Sequence, residues 1–128
     1  MVETKGRKIL YVDDEEINLK LFDLTFKDDF KIITAISGEQ GLDLLTANTD
    51  VDLIISDLRM PQMNGLEFVK EIKRLYPDKI CMLLTGYVES DVILEGFNKD
   101  LIFRYITKPW KKVDVVGAID AAFAKLKN

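Results

Sequence analysis

The stretch Val51-Asp52-Leu53-Ile54-Ile55-Ser56-Asp57 reads as a strand with little polar character on either face, closed by a carboxylate. A half-exposed strand alternates apolar and polar residues, whereas a near-continuous apolar run marks a strand covered on both sides. Outward from it the same kind of run recurs. Ile9-Leu10-Tyr11-Val12 and Ile80-Cys81-Met82-Leu83-Leu84 repeat it, and Lys31 to Ala35 and Leu101 to Ile106 are weaker examples. Longer amphipathic stretches lie between them. Ile17 to Phe26 carries Ile17, Leu21 and Leu24 at helical spacing, and a second helix runs from Ser37, whose hydroxyl can cap it, through Leu42 and Leu45. Leu66 to Tyr76 follows Pro61 and Gly65, a weaker helix is expected from about Val88 to Phe97, and a last one has Val116, Ile119, Phe123 and Leu126 on one face.

Strict alternation of strands and helices predicts a parallel sheet, because parallel neighbours need a crossover helix. The expected fold is α/β: a flavodoxin-like, doubly wound (βα)5 unit with a five-stranded parallel sheet in the order 2-1-3-4-5. A closed eight-stranded barrel would take roughly 250 residues. The 128 residues are expected to form a single domain, 1–128, with no output domain beside it.

Composition removes several function classes. The chain has no histidine, which excludes histidine triads, His-ligated zinc and a phosphohistidine made on this chain. Its single cysteine excludes an intrachain disulfide and a cysteine zinc site, and the apolar setting of Cys81 reads as that of a small buried hydrophobe. No apolar stretch approaches the ~20 residues that span a bilayer, and no signal peptide precedes the first charges, so a cytoplasmic location without a membrane partner is expected. The formal charge of −4 argues against direct nucleic-acid binding, which needs a basic face.

In an open parallel sheet, ligands bind beyond the carboxyl ends of the strands, at the switch point in strand order. Strand one ends in Asp13-Asp14, strand three in Asp57, strand four in Thr85-Gly86, and Lys108-Pro109 follows strand five. Strands one, three and four are neighbours in the expected order. Three carboxylates, a hydroxyl and an ammonium therefore converge on one crevice. Two like charges 4 Å apart repel by about 4 kcal/mol at an effective dielectric of 20, so three ionised carboxylates call for a cation. Mg2+ suits a site of one or two carboxylates completed by water and phosphate. Each piece also has a plain reading. Asp13 to Glu16 can be a helix cap with an acidic first turn, Asp57 a loop cap, Thr85 a strand-end hydroxyl and Lys108 a solvated surface lysine. Their joint placement on successive strand ends favours a site, while Glu15 and Glu16 keep the plain reading.

The set Asp13-Asp14, Asp57-Leu58-Arg59-Met60-Pro61 with Asn64-Gly65, Thr85-Gly86 and Lys108-Pro109 resembles the receiver domain of bacterial response regulators, over nearly the whole chain. The resemblance implies that Asp57 is the phospho-acceptor. It implies a Mg2+ held by Asp13, Asp14, Asp57 and the backbone carbonyl of Arg59. Lys108 would contact the phosphoryl group, Thr85 would move to bond it, and Tyr105 matches the family's switch aromatic. Arg59 and Tyr87 stand two residues past Asp57 and Thr85, positions that in the family tune dephosphorylation. The Lys108-Pro109 bond is cis in the family.

Further readings concern single residues. Gly86 leaves room for a phosphoryl group to approach the backbone, serves a tight turn that requires glycine, or does both. Trp110 reads as a core anchor under the last helix. Arg104, Lys108, Lys111 and Lys112 are the expected charges on the face formed by the fourth helix, fifth strand and last helix, where a partner or a second copy could bind. The functional expectation is a phosphorylatable signalling switch that performs Mg2+-dependent transfer to Asp57 and its own dephosphorylation. It would be driven by a sensor histidine kinase or phosphotransfer protein, and read by a downstream protein or fused output domain. The alternatives are a receiver-like interaction module with phosphorylation-independent output and, less well matched, a small-substrate phosphatase or phosphotransferase using Asp57 as nucleophile, which would lack a substrate-selecting cap.

Overall fold

The computed structural model describes residues 7–86, 95 and 100–126. Its elements are β1 (Lys8–Val12), α1 (Glu16–Phe26), β2 (Lys31–Ala35), α2 (Gly38–Ala47), β3 (Leu53–Ser56), α3 (Gly65–Leu75), β4 (Ile80–Thr85), β5 (Arg104–Thr107) and α4 (Lys112–Leu126). The strands form one parallel sheet in the order β2-β1-β3-β4-β5, as the alternation predicts. The helix expected from about Val88 to Phe97 falls, except for Glu95, outside the described residues.

Successive strand residues point to opposite faces of a sheet, and here both faces are covered. Ile9 and Tyr11 of β1, Leu53 and Ile55 of β3, and Met82 and Leu84 of β4 pack beneath α1 and α4. Their sequence neighbours Leu10, Val12, Ile54, Cys81 and Leu83 pack against Leu45 of α2 and Leu66, Phe68, Val69 and Ile72 of α3. This double burial is why the central runs lack polar alternation. Ser37 caps α2 by accepting from the Gln40 N–H, as expected. Asn64 caps α3 in a reciprocal box with Glu67, two hydrogen bonds that satisfy donors otherwise orphaned at the helix start.

Three sequence expectations shift. Leu19, Phe22 and Phe26 are the residues of α1 that face the sheet, while Ile17, Leu21 and Leu24 stand 72%, 54% and 63% exposed. Both triplets have helical spacing, so periodicity alone could not choose between them. The larger aromatic area wins the interior, and Phe22 stacks on Tyr11 with centroids 4.0 Å apart. On α4 the buried face is Val115, Ala118, Ile119, Ala122 and Phe123, with Val116 and Leu126 at its margin. The small Ala118 and Ala122 let this helix lie close to the sheet, a cue that counting only large apolar residues misses. β5 begins at Arg104 rather than Leu101, although Phe103 N–H already donates to the Cys81 carbonyl at 2.8 Å. As an edge strand β5 is only half-buried, so its ends carry a weak apolar signal.

Candidate functional site

The register of the sheet assembles the site. Val12 is paired with Ser56, and Ser56 with Leu83, so the residues following β1 and β3 emerge side by side at the carboxyl edge. The ladder continues past the strands: Asp57 N–H donates to Val12 O at 2.9 Å and Asp13 N–H to Ala35 O at 3.2 Å. Asp13 is 0% exposed and Asp57 buried, whereas Asp14 is exposed. Carboxylate oxygens of all three lie within 4.8 Å of one another. On the far side, Lys108 N–H donates to Thr85 O at 2.9 Å, which extends the β4–β5 ladder and brings the lysine to the crevice.

Lys108 spans the cluster. Its Nζ donates to Asp13 Oδ2 at 3.0 Å and to Asp57 Oδ2 at 3.2 Å. The lysine expected among the charges of the outer face therefore points into the crevice, while Arg104, Lys111 and Lys112 are exposed and Lys112 pairs with Asp29. Asp13 is held further by the Glu15 N–H on Oδ1 at 3.0 Å, by Asn18 Nδ2 on Oδ2 at 3.2 Å and by the Tyr11 hydroxyl on Oδ2 at 2.9 Å. Sequence reasoning missed Tyr11 and Asn18. Tyr11 could have been found: it precedes Asp13 by two residues on a strand, so both point to the same face, and a buried tyrosine hydroxyl needs a partner.

Burial and charge shift the ionisable groups in a consistent way. Burial pushes the Asp57 carboxyl above the ordinary carboxylate range; the Lys108 ammonium opposes this and the Asp13 carboxylate adds to it, with a hydrogen bond from the Arg59 backbone pulling down. Burial would lower the Lys108 ammonium, but its hydrogen bond to Asp13 and the charges of Asp13 and Asp57 outweigh it and hold the lysine above its usual range. The Tyr11 phenol is kept protonated by burial and by the neighbouring Asp13 carboxylate. Among the described residues, three carboxylates facing the Lys108 ammonium leave the crevice short of positive charge. The donor set is all oxygen, hard and partly buried, which matches a hard divalent cation and not a soft or nitrogen-seeking one. Asp13, Asp14 and Asp57 can hold such a metal.

The remaining expected residues fall around this centre. Thr85, at the end of β4, is buried at 2% exposure beside the crevice. Arg59 is exposed just past Asp57, and Tyr87 lies outside the described residues. Tyr105 of β5 is half-buried against the cluster containing Leu83, and burial raises its phenol, followed by the charge of Glu95. The Lys108-Pro109 peptide bond is cis. Trp110, expected under the last helix, is partly buried against the core and makes its ring contacts with α1, with centroids 5.3 Å from Phe26 and 6.1 Å from Phe22. Gly86 has no left-handed backbone, so no turn conformation demands glycine there, and among the described residues a Cβ would meet Lys108 Cβ at 3.6 Å, an ordinary contact. A cavity of about 540 Å3 opens beside the acidic cluster, lined by Tyr11, Asn18, Leu21, Thr25, Lys108, Pro109 and Trp110.

Comparison with known proteins identifies the family and the fold. Residues 9–120 match the family described as the response regulator receiver domain. The chain is 34% identical over 114 residues to the hydrogenase transcriptional regulatory protein HoxA of Bradyrhizobium diazoefficiens, covering 89% of this chain and 23% of that protein. It is 34% identical over 115 residues to the transcriptional regulatory protein CpxR of Escherichia coli, covering 89% of this chain and 48% of the relative. The chain thus spans less than half the length of these relatives. Among solved structures, a response regulator receiver domain protein from Clostridium thermocellum superposes with a TM-score of 0.88 at 32% identity, covering 94% of this chain and 97% of that one.

Proposed function

The chain belongs to the response regulator receiver domain family, whose members are signalling switches rather than classical enzymes, and from that premise we propose that Asp57 accepts a phosphoryl group from a phosphohistidine on another protein. The observation that carries the reading is the position of Lys108, whose Nζ bridges the two buried carboxylates at the ends of adjacent central strands. A carboxylate is a poor nucleophile toward an anionic phosphoryl group unless the charge between them is neutralised.

In this reading Asp13, Asp14, Asp57 and the Arg59 backbone carbonyl hold Mg2+, which when bound neutralises phosphoryl oxygens. Asp57 forms a bond to phosphorus in line with the leaving imidazole nitrogen of the donor, whose bond to phosphorus breaks. Lys108 supplies the second positive charge by moving from the carboxylates to a phosphoryl oxygen. Thr85 donates its hydroxyl to the new group, and Tyr105 repacks in response. That repacking alters the face around β5 and α4, where a downstream protein, a fused output domain or a second copy of the chain binds. Arg59 and Tyr87 border the approach of the water that later hydrolyses the aspartyl phosphate.

The donor is a sensor histidine kinase or a phosphotransfer protein of the cytoplasm. It presses on the exposed stripe Ile17, Leu21 and Leu24 of α1, because Leu21 lines the cavity that also holds Lys108. Incubation with Mg2+ and acetyl phosphate tests the proposal. The expected result is a phosphoryl adduct by mass spectrometry and a change in Trp110 fluorescence, both lost in Asp57→Ala. An adduct that survives Asp57→Ala, or none in the unaltered protein, would overturn it.

A further inference from the structure

Asp13 Oδ2 receives three donors, and they differ in how freely each can leave. The Lys108 ammonium at 3.0 Å sits on a long side chain that remains 24% exposed and shares itself with Asp57. Asn18 Nδ2 is the most distant, at 3.2 Å, on a half-buried residue at the crevice rim. The Tyr11 hydroxyl, at 2.9 Å, is the one that cannot move away. Tyr11 is 1% exposed, lies in the central strand β1, and has its ring stacked on Phe22 at 4.0 Å and 14°.

We propose that Tyr11 is a positioning residue, holding the Asp13 carboxylate from the interior so that Lys108 can leave it for an incoming phosphoryl group. This rests on the receiver reading given above. Asp13 is 0% exposed, so no bulk water replaces a departing donor, and a buried carboxylate that loses its ammonium is costly unless other hydrogen bonds persist. The Glu15 N–H fixes Oδ1, and the Tyr11 hydroxyl fixes Oδ2 on the opposite side, which sets the carboxylate plane relative to Asp14 and Asp57. Without the hydroxyl, Asp13 would retain Lys108 more tightly or rotate away from the metal-facing arrangement. Either outcome weakens the binding of the divalent cation and of the phosphoryl group. Partners that orient a ligand in this manner matter nearly as much as the ligand itself.

The test uses the full chain and its single tryptophan. Trp110 lines the same cavity as Tyr11 and Lys108, so its fluorescence is the readout for movement of Lys108 on binding. Tyr11→Phe keeps the ring on Phe22 and removes only the hydroxyl. Mg2+ is titrated first, then beryllofluoride at saturating Mg2+, with thermal unfolding in chelator recorded alongside. In Tyr11→Phe we expect Mg2+ binding weakened about tenfold and the beryllofluoride midpoint raised with it. Asn18→Ala, which removes the rim donor, should shift both by about twofold or less. A merely structural hydroxyl would lower the melting temperature and leave both midpoints where they are, and that result overturns the proposal. So does an equal loss in Asn18→Ala, which would make the hydroxyl one donor among others. A wild-type protein silent to both Mg2+ and beryllofluoride overturns the receiver reading itself, and the role of Tyr11 with it.

Discussion

Gly65, the first residue of α3, lies so close to Asp57 that a Cβ placed on it would stand 2.3 Å from the Asp57 carbonyl oxygen and 2.9 Å from Leu58 Cα. Both obstacles are backbone and cannot rotate aside. The Gly65 N–H also donates to Leu58 O at 2.8 Å. Asp57, at the end of β3, and the start of α3 are thus packed as one unit, and the missing side chain at position 65 permits it.

Gly65→Ala should therefore disturb the site more than the fold. Forcing one methyl into packed backbone costs about 1–3 kcal/mol, which urea denaturation would register as a lower midpoint with unchanged slope. The displaced Asp57 should take up phosphate from acetyl phosphate at least about tenfold more slowly, since misplacement near 1 Å is enough for such losses. A variant that is less stable but phosphorylated at the wild-type rate would show that Gly65 serves packing alone.

Asp57→Asn should stabilise the protein in the absence of divalent cations. Asp57 is pushed above the ordinary carboxylate range by burial, against the pull of Lys108 and with a further push from Asp13. A carboxyl raised in the folded state is fully compatible with the fold at low pH and loses stability for it as pH rises through that raised value. Removing the charge should then raise the melting temperature at neutral pH, a gain that disappears on acidification through the carboxylate range. Mg2+ should reverse the order, raising the melting temperature of the wild type by mass action and that of Asp57→Asn much less. Melting curves in chelator and in Mg2+, from acid to neutral pH, decide the matter.

Cys81 gives a second pH-dependent outcome. It is buried at 0% exposure in β4, and burial pushes its thiol up to about 12, the nearby Lys73 and Lys79 only softening the effect. The thiolate is the reactive form, so the native protein should not react with a disulfide reagent at pH 8 and should react fully in urea. By the same sign rule, stability should fall as pH rises above the ordinary thiol value of 9.0. Cys81→Ala should flatten part of that alkaline decline, the rest coming from Tyr11, whose phenol is held protonated in the same manner. Rapid labelling of the folded protein at pH 8 would contradict this account.

The strands and the crevice were legible in the sequence because their signals are long-lived along the chain. Continuous apolar runs mark β1, β3 and β4, and the acids and lysine follow at their ends, so topology alone brings Asp13, Asp57, Thr85 and Lys108 together. What was illegible depends on shape rather than pattern. Ile17, Leu21 and Leu24 share a helix face as good as that of Leu19, Phe22 and Phe26, and only the stacking of Phe22 on Tyr11 reveals which one turns inward. The grip of Tyr11 on Asp13 is likewise a matter of hydroxyl reach within a face already assigned to the core. Gly65 entered the sequence reading only as the residue before the third helix, because nothing in a one-dimensional pattern indicates that the Asp57 carbonyl oxygen lies 2.3 Å from the Cβ it lacks.

The reversed helix face carries the last prediction. Ile17, Leu21 and Leu24 are spaced along one side of α1 and are more than half exposed, with Leu21 at the border of the cavity that contains Lys108. Ile17 and Leu24, at 72% and 63% exposure, bury little area, so charged substitutions such as Ile17→Glu or Leu24→Glu should change stability by about 0.5 kcal/mol or less. A small phosphodonor reaches Asp57 without covering α1, and acetyl phosphate should label both variants at the wild-type rate. A phosphohistidine protein has to seat a surface around the crevice, and removal of an apolar anchor from such a contact costs about 2 kcal/mol, or roughly thirtyfold in transfer efficiency. Parallel assays with acetyl phosphate and with a phosphorylated histidine donor protein separate the two effects. Equal losses with both donors would place the defect in the chemistry of the crevice and dismiss α1 as the docking face, whereas loss with the protein donor alone assigns the stripe to recognition.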